Sequence, residues 1–118
     1  MAIKQARGGQ IVMFKFPQTD LAIGKLRPAL LIKQIDSNYG DWLTCMISSK
    51  TGQETIDLDN IIEATDEDFV QSGLKSTSVF RVTRLAVIAD TLPIGIIAEI
   101  SQTRLTTIKH NLARWLEY

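Results

Sequence analysis

The chain holds a single cysteine (Cys45), a single histidine (His110) and three prolines in 118 residues. One cysteine excludes an internal disulfide and any cysteine-based zinc cluster. No His/Asp/Glu grouping has metal-ligand spacing, and there is neither a Gly-rich phosphate loop nor a nucleophile elbow. The expectation is therefore a protein without metal or cofactor. No apolar run approaches the roughly 18 residues of a membrane span. The opening MAIKQARGG has no apolar stretch of the kind that marks a secretory signal. These absences predict a reduced, cytoplasmic, soluble chain.

What is present suits a globular protein. An apolar fraction of 45% and a charged fraction of 22% exclude wholesale disorder. The length predicts one domain over 1–118, able to bury about two thirds of its unfolded surface. Net charge is zero, but it is unevenly distributed. Residues 1–35 carry six cations and one anion, residues 36–70 one cation and nine anions, and residues 71–118 six cations and three anions. A phosphate-binding cleft needs a local field rather than a basic protein, and the two cationic ends can build one.

Along the chain, 10–16 (QIVMFKF) reads as a β-strand ended by Pro17, and 18–26 as a loop. The most apolar run, 28–35, predicts a central strand; 42–48 predicts a third and 54–58 a short edge strand. Residues 66–73 read as one or two helical turns closed by Gly73. Strands are expected over 76–84, 85–89 and 94–100. Ser101 is a predicted N-cap, and Leu105, Ile108, Leu112 and Trp115/Leu116 form the apolar stripe of a C-terminal helix. The fold class is mainly β with a C-terminal helix (α+β), as a small bent barrel.

His110 falls off the apolar stripe and reads as a surface residue, while Cys45 reads as core. The residues suited to chemistry are arginines beside small hydroxyls. Arg27 stands between a loop and a buried strand, and its guanidinium suits a bidentate grip on phosphate. Ser48 and Ser49 close the third strand and can donate to phosphate oxygens. Arg81 and Arg84 are expected to flank another strand end.

The segments GQIVMFKFPQTD, GKLRPALLI, CMISSK and SGLKSTSVFRVTRL, in that order, resemble the PemK/MazF family of toxins from toxin–antitoxin systems. The resemblance implies an SH3-like β-barrel, usually a homodimer, that cuts single-stranded RNA without a metal and is neutralised by a cognate antitoxin peptide. It implies that Arg27, before Pro28, contacts the scissile phosphate. Ser48 stands where the family most often has threonine, and Arg81 matches a later-strand arginine of some members. The chain departs from the family in lacking a histidine before Arg27 and an aspartate at 83.

The implied chemistry uses the RNA 2′-OH as nucleophile, with Arg27 and Ser48 stabilising the phosphorane. Asp20 is the candidate general base, with Lys25, Ser49, Arg81 and Arg84 as substrate contacts. In a dimer, Arg27 and Ser48 are expected within one side chain's reach of each other, both facing solvent. Two other readings stay open: a weakened homologue that binds RNA or antitoxin without cutting, and a barrel toxin that poisons gyrase.

Overall fold

The computed structural model describes residues 6–15, 26–36, 40–52, 54–55, 57–93 and 95–117. Six antiparallel strands form one sheet: β1 (Gln10–Lys15), β2 (Leu26–Asp36), β3 (Asp41–Ser48), β4 (Asn60–Ile62), β5 (Ser78–Ile88) and β6 (Gly95–Glu99). Their spatial order is β4-β5-β3-β2-β1-β6. A four-residue helix α1 (Phe69–Ser72) precedes β5, and α2 (Gln102–Leu116) ends the chain.

The apolar run of β2 is continuous rather than alternating because both faces of this central strand are covered. Leu30 and Ile32 join Ile11, Cys45, Ile47, Phe80 and Val82 in a core closed by Leu105, Ile108 and Leu112 of α2. Ala29 and Leu31 join Val12, Phe14, Trp42 and Ile88 on the opposite side. Ser101 caps α2 by accepting the Arg104 N–H at 3.1 Å, as its sequence position predicts. Trp115 packs against the first core, whereas Leu116, expected on the same stripe, is exposed, as is His110.

Two strand expectations are corrected. The edge strand is not 54–58 but 60–62: Thr55 and Leu58 belong to a turn in which the Leu58 and Asp59 N–H groups both donate to the Thr55 carbonyl. The stretches 76–84 and 85–89 are one bent strand. Cys45 faces Leu85 while the next residue, Met46, faces Arg81, so Val82, Thr83 and Arg84 form a bulge without partners on β3. Arg81 and Arg84 therefore lie within β5 and not at its end. The backbone N–H of Val82 is taken instead by the Asp59 carboxylate at 2.9 Å.

Arg104 binds β4, α1 and α2 together. Its five guanidinium N–H groups are all used. Nε and one Nη2 hydrogen grip the two oxygens of Asp68 at 2.8 and 3.0 Å. The second Nη2 hydrogen goes to Asp66 at 3.0 Å, and Nη1 donates to Asn60 Oδ1 and the Ile61 carbonyl. Asp68 also accepts the Ser101 N–H at 3.0 Å. The Arg104 hydrogen bonds hold the Asp68 carboxyl down at about 2, against burial, which alone would raise it. Burial works against the Arg104 charge too, yet its carboxylate bonds outweigh that and keep the guanidinium charged.

A carboxyl whose folded value is depressed stabilises the fold above its ordinary value of 3.8 and loses that contribution as the pH falls toward about 2. Urea unfolding followed from about pH 5 down to about pH 2 should show a steeper loss of stability in the wild type than in Asp68→Asn. At neutral pH, Asp68→Ala should cost about 3 kcal/mol, because it strips Arg104 of its main partner. Gly73 closes α1 at φ 71°, and a Cβ there would meet Ile97 Cγ2 at 2.5 Å. Gly73→Ala should lower the urea midpoint by an amount equivalent to about 1–3 kcal/mol.

Candidate active site

The β2–β3 ladder has its last pair at Ala29 and Met46. Beyond it, Pro28 has no N–H to donate. Leu26, Arg27 and Pro28 pair only with β1, whereas Ile47 and Ser48 pair only with β5. The two strands part there, and an open cleft of ≈ 320 Å³ occupies the gap. Leu26, Arg27 and Pro28 line it from β2, Ile47 and Ser49 from the end of β3, Leu74, Lys75 and Ser76 from the α1–β5 connection, and Ser78 from β5.

Arg27 is half-buried, and among the described residues it makes no ion pair. Arg27 and Ser48 each lie two residues past the Ala29–Met46 pair, at the same end of the parted strands. Arg27 lines the cleft, whereas Ser48 does not, although its neighbours Ile47 and Ser49 do. The expectation that both face solvent is corrected for Ser48, which is only 5% exposed. Its Oγ accepts the Lys50 N–H at 3.1 Å, which leaves the hydroxyl proton as a donor. Ser49, the next residue, is exposed and lines the cleft. Asp20 and Lys25 lie outside the described residues.

Arg81 and Arg84 are not among the lining residues of the cleft. Arg81 Nε donates to Asp59 Oδ2 at 2.9 Å, and that carboxylate, fully buried, also takes the Val82 and Thr55 N–H groups. Arg81 neutralises the acid that stabilises the β5 bulge. Arg84 stands exposed in the bulge itself. Cys45 is fully buried, and burial first, then the charge of Asp59, pushes its thiol well above the usual range. It is core, not a nucleophile.

Sequence reasoning did not single out Lys75, Ser76 and Ser78. They belong to the run KSTS, which lines the same cleft as Arg27 because α1 docks on β6: Gln71 Nε2 donates to the Glu99 carbonyl, and Gly73 lies against Ile97. It also missed Arg104, although there a signal existed. Position N3 after a serine cap favours glutamate or glutamine, and a cation at a helix N-terminus is unfavourable unless acids surround it. Asp59→Ala should cost about 3–5 kcal/mol in urea unfolding by leaving Arg81 and the Val82 N–H unpaired, whereas Arg84→Ala should stay within about 0.5 kcal/mol.

Residues 7–116 match the profile of a family described as PemK-like, MazF-like toxins of type II toxin–antitoxin systems. No curated protein is matched by the sequence. Among solved structures, the chain resembles an endoribonuclease in complex with its cognate antitoxin from a mycobacterial species, with 13% identity, a TM-score of 0.66 and 95% of each chain covered. MazE–MazF from Deinococcus radiodurans is similar at 17% identity and a TM-score of 0.67, again over 95% of both chains. The Mycobacterium tuberculosis toxin MazF-mt6 gives 14% and 0.64, over 94% of this chain and 97% of that one. At these identities the structural likeness is one of fold: a curled antiparallel sheet with a C-terminal helix.

Proposed function

The chain belongs to the PemK-like, MazF-like toxins of type II toxin–antitoxin systems, and from that premise we propose that it is an endoribonuclease that cleaves single-stranded RNA without a metal. The observation that carries this reading is the cleft where β2 and β3 part. Its polar lining consists of Arg27, Lys75 and the serines 49, 76 and 78, with no carboxylate among the described lining residues. Such a surface attracts a phosphodiester and leaves no fixed acid to repel it.

In the proposed reaction, the ribose 2′-oxygen bonds to phosphorus and loses its proton to a base. The bond from phosphorus to the 5′-oxygen breaks, and that oxygen gains a proton. The products are a 2′,3′-cyclic phosphate and a 5′-hydroxyl. Arg27 grips two phosphate oxygens and stabilises the charge of the phosphorane, and the Ser48 hydroxyl donates alongside it. Asp20 is the proposed base. Lys25 and Ser49 are proposed to hold the substrate strand, with the exposed Arg84 as an outer cation, while Arg81 is committed to Asp59. The proposal includes a cytoplasmic homodimer neutralised by an acidic antitoxin peptide, which a cationic cleft complements.

A second reading is a homologue that binds RNA but hardly cuts it, which the burial of Ser48 favours. Incubation of the protein with a long single-stranded RNA in EDTA separates the two. Cleavage to cyclic-phosphate ends, reduced about 100-fold or more in Arg27→Ala and Ser48→Ala, is the expected result. Circular dichroism melts of both variants check that they remain folded. Binding without cleavage establishes the second reading, and intact RNA together with a trapped topoisomerase–DNA complex would point to gyrase poisoning.

A further inference from the structure

The cleft is lined by two cations and by apolar side chains. Arg27 comes from β2, and Lys75 from the α1–β5 connection. Met13, Pro28, Ile47, Leu74 and Ile97 supply carbon surface among the lining. Ser78 is buried, and its hydroxyl is spent on the Ser76 carbonyl at 2.9 Å, which sets the turn that presents Lys75. Ser76 and Lys75 are exposed, and among the described residues Lys75 makes no ion pair.

We infer that the cleft takes one unpaired nucleoside together with both of its flanking phosphates. Arg27 holds the scissile phosphate and Lys75 the neighbouring one, while the base rests on the aliphatic lining. This inference rests on the proposed ribonuclease reading and adds to it a substrate-positioning residue at a second phosphate. A lysine suits that place. It binds phosphate as a point charge, whereas the scissile group needs the planar, bidentate geometry of arginine. The described lining contains no aromatic ring, so the base is held by shape and apolar contact and not by ring stacking.

A lysine on a bound phosphate releases counterions, and each such contact in single-stranded nucleic acid adds about 0.7 to the slope of log affinity against log salt. The test measures binding of a short, uncleavable 2′-O-methyl RNA of mixed sequence across a salt series, and KM and kcat for a cleavable transcript. Lys75→Gln should reduce the salt slope by about 0.7 and raise KM several-fold, with the loss falling on KM and not on kcat. Lys75→Arg should restore both the slope and KM. Lys109→Gln removes the same charge from the exposed face of α2, outside the cleft, and should leave slope and KM unchanged.

If the wild type cleaves and binds RNA while Lys75→Gln keeps the wild-type slope and KM, the second-phosphate subsite is wrong and the ribonuclease reading stands. Equal losses in Lys75→Gln and Lys109→Gln would reduce the effect to general charge and overturn the subsite as well. If the wild type neither binds nor cleaves RNA, both fall together.

Discussion

Arg104 satisfies all five of its donors with groups from two separate parts of the chain: Asn60 and Ile61 at β4, and Asp66 and Asp68 at the entry to α1. The cleft depends on that convergence. The α1–β5 connection supplies one side of the cleft, and α1 is too short to hold its place by its own hydrogen bonds. Asp68, gripped by Arg104 and by the Ser101 N–H, anchors the segment just ahead of α1 to the start of α2. Gly73 then lets the chain turn tightly against Ile97 of β6. A buried ion pair is weak evidence of net stability, because desolvation offsets much of its attraction. What it supplies here is position.

The second buried acid, Asp59, does comparable work at the opposite strand junction. A three-residue bulge in β5 lets the strand bend but strips Val82 of its ladder partner. Asp59 accepts that N–H, and Arg81 neutralises the charge this introduces. The strongly acidic middle of the chain is therefore only partly a solvated surface. Asp59, Asp66 and Asp68 are drawn to arginines of the C-terminal third, and the cations of the cleft, Arg27 and Lys75, are left without carboxylate partners among the described residues.

The site opens where two strands stop pairing. Pro28 cannot donate a hydrogen bond, and the β2–β3 ladder has its last pair one residue away, at Ala29 and Met46. The proline that follows Arg27 thus has a mechanical role beside its arginine. It stands at the point where the ladder ends and the cleft opens beside the guanidinium. The same parting leaves Ser48 tucked under the Lys50 backbone and Ser49 outside, so two adjacent hydroxyls have different exposure and different duties.

Local pattern determined most of the elements: the apolar runs of β1 to β3, the Ser101 cap, the stripe of α2, and the turn closed by Gly73. Arg27 and Ser48 were legible as a pair because each stands at the end of a strongly marked strand. Tertiary structure alone decided three things. It moved the edge strand to 60–62, where Asn60 and Ile61 could meet Arg104, and it joined two expected strands through a bulge that only Asp59 makes tolerable. It also brought Lys75 into the same cleft as Arg27. Strand periodicity and capping are encoded within a few neighbouring residues, whereas a cleft wall made from residues 27 and 75 depends on contacts distant in sequence, whose energy is realised only once the sheet has closed around its core.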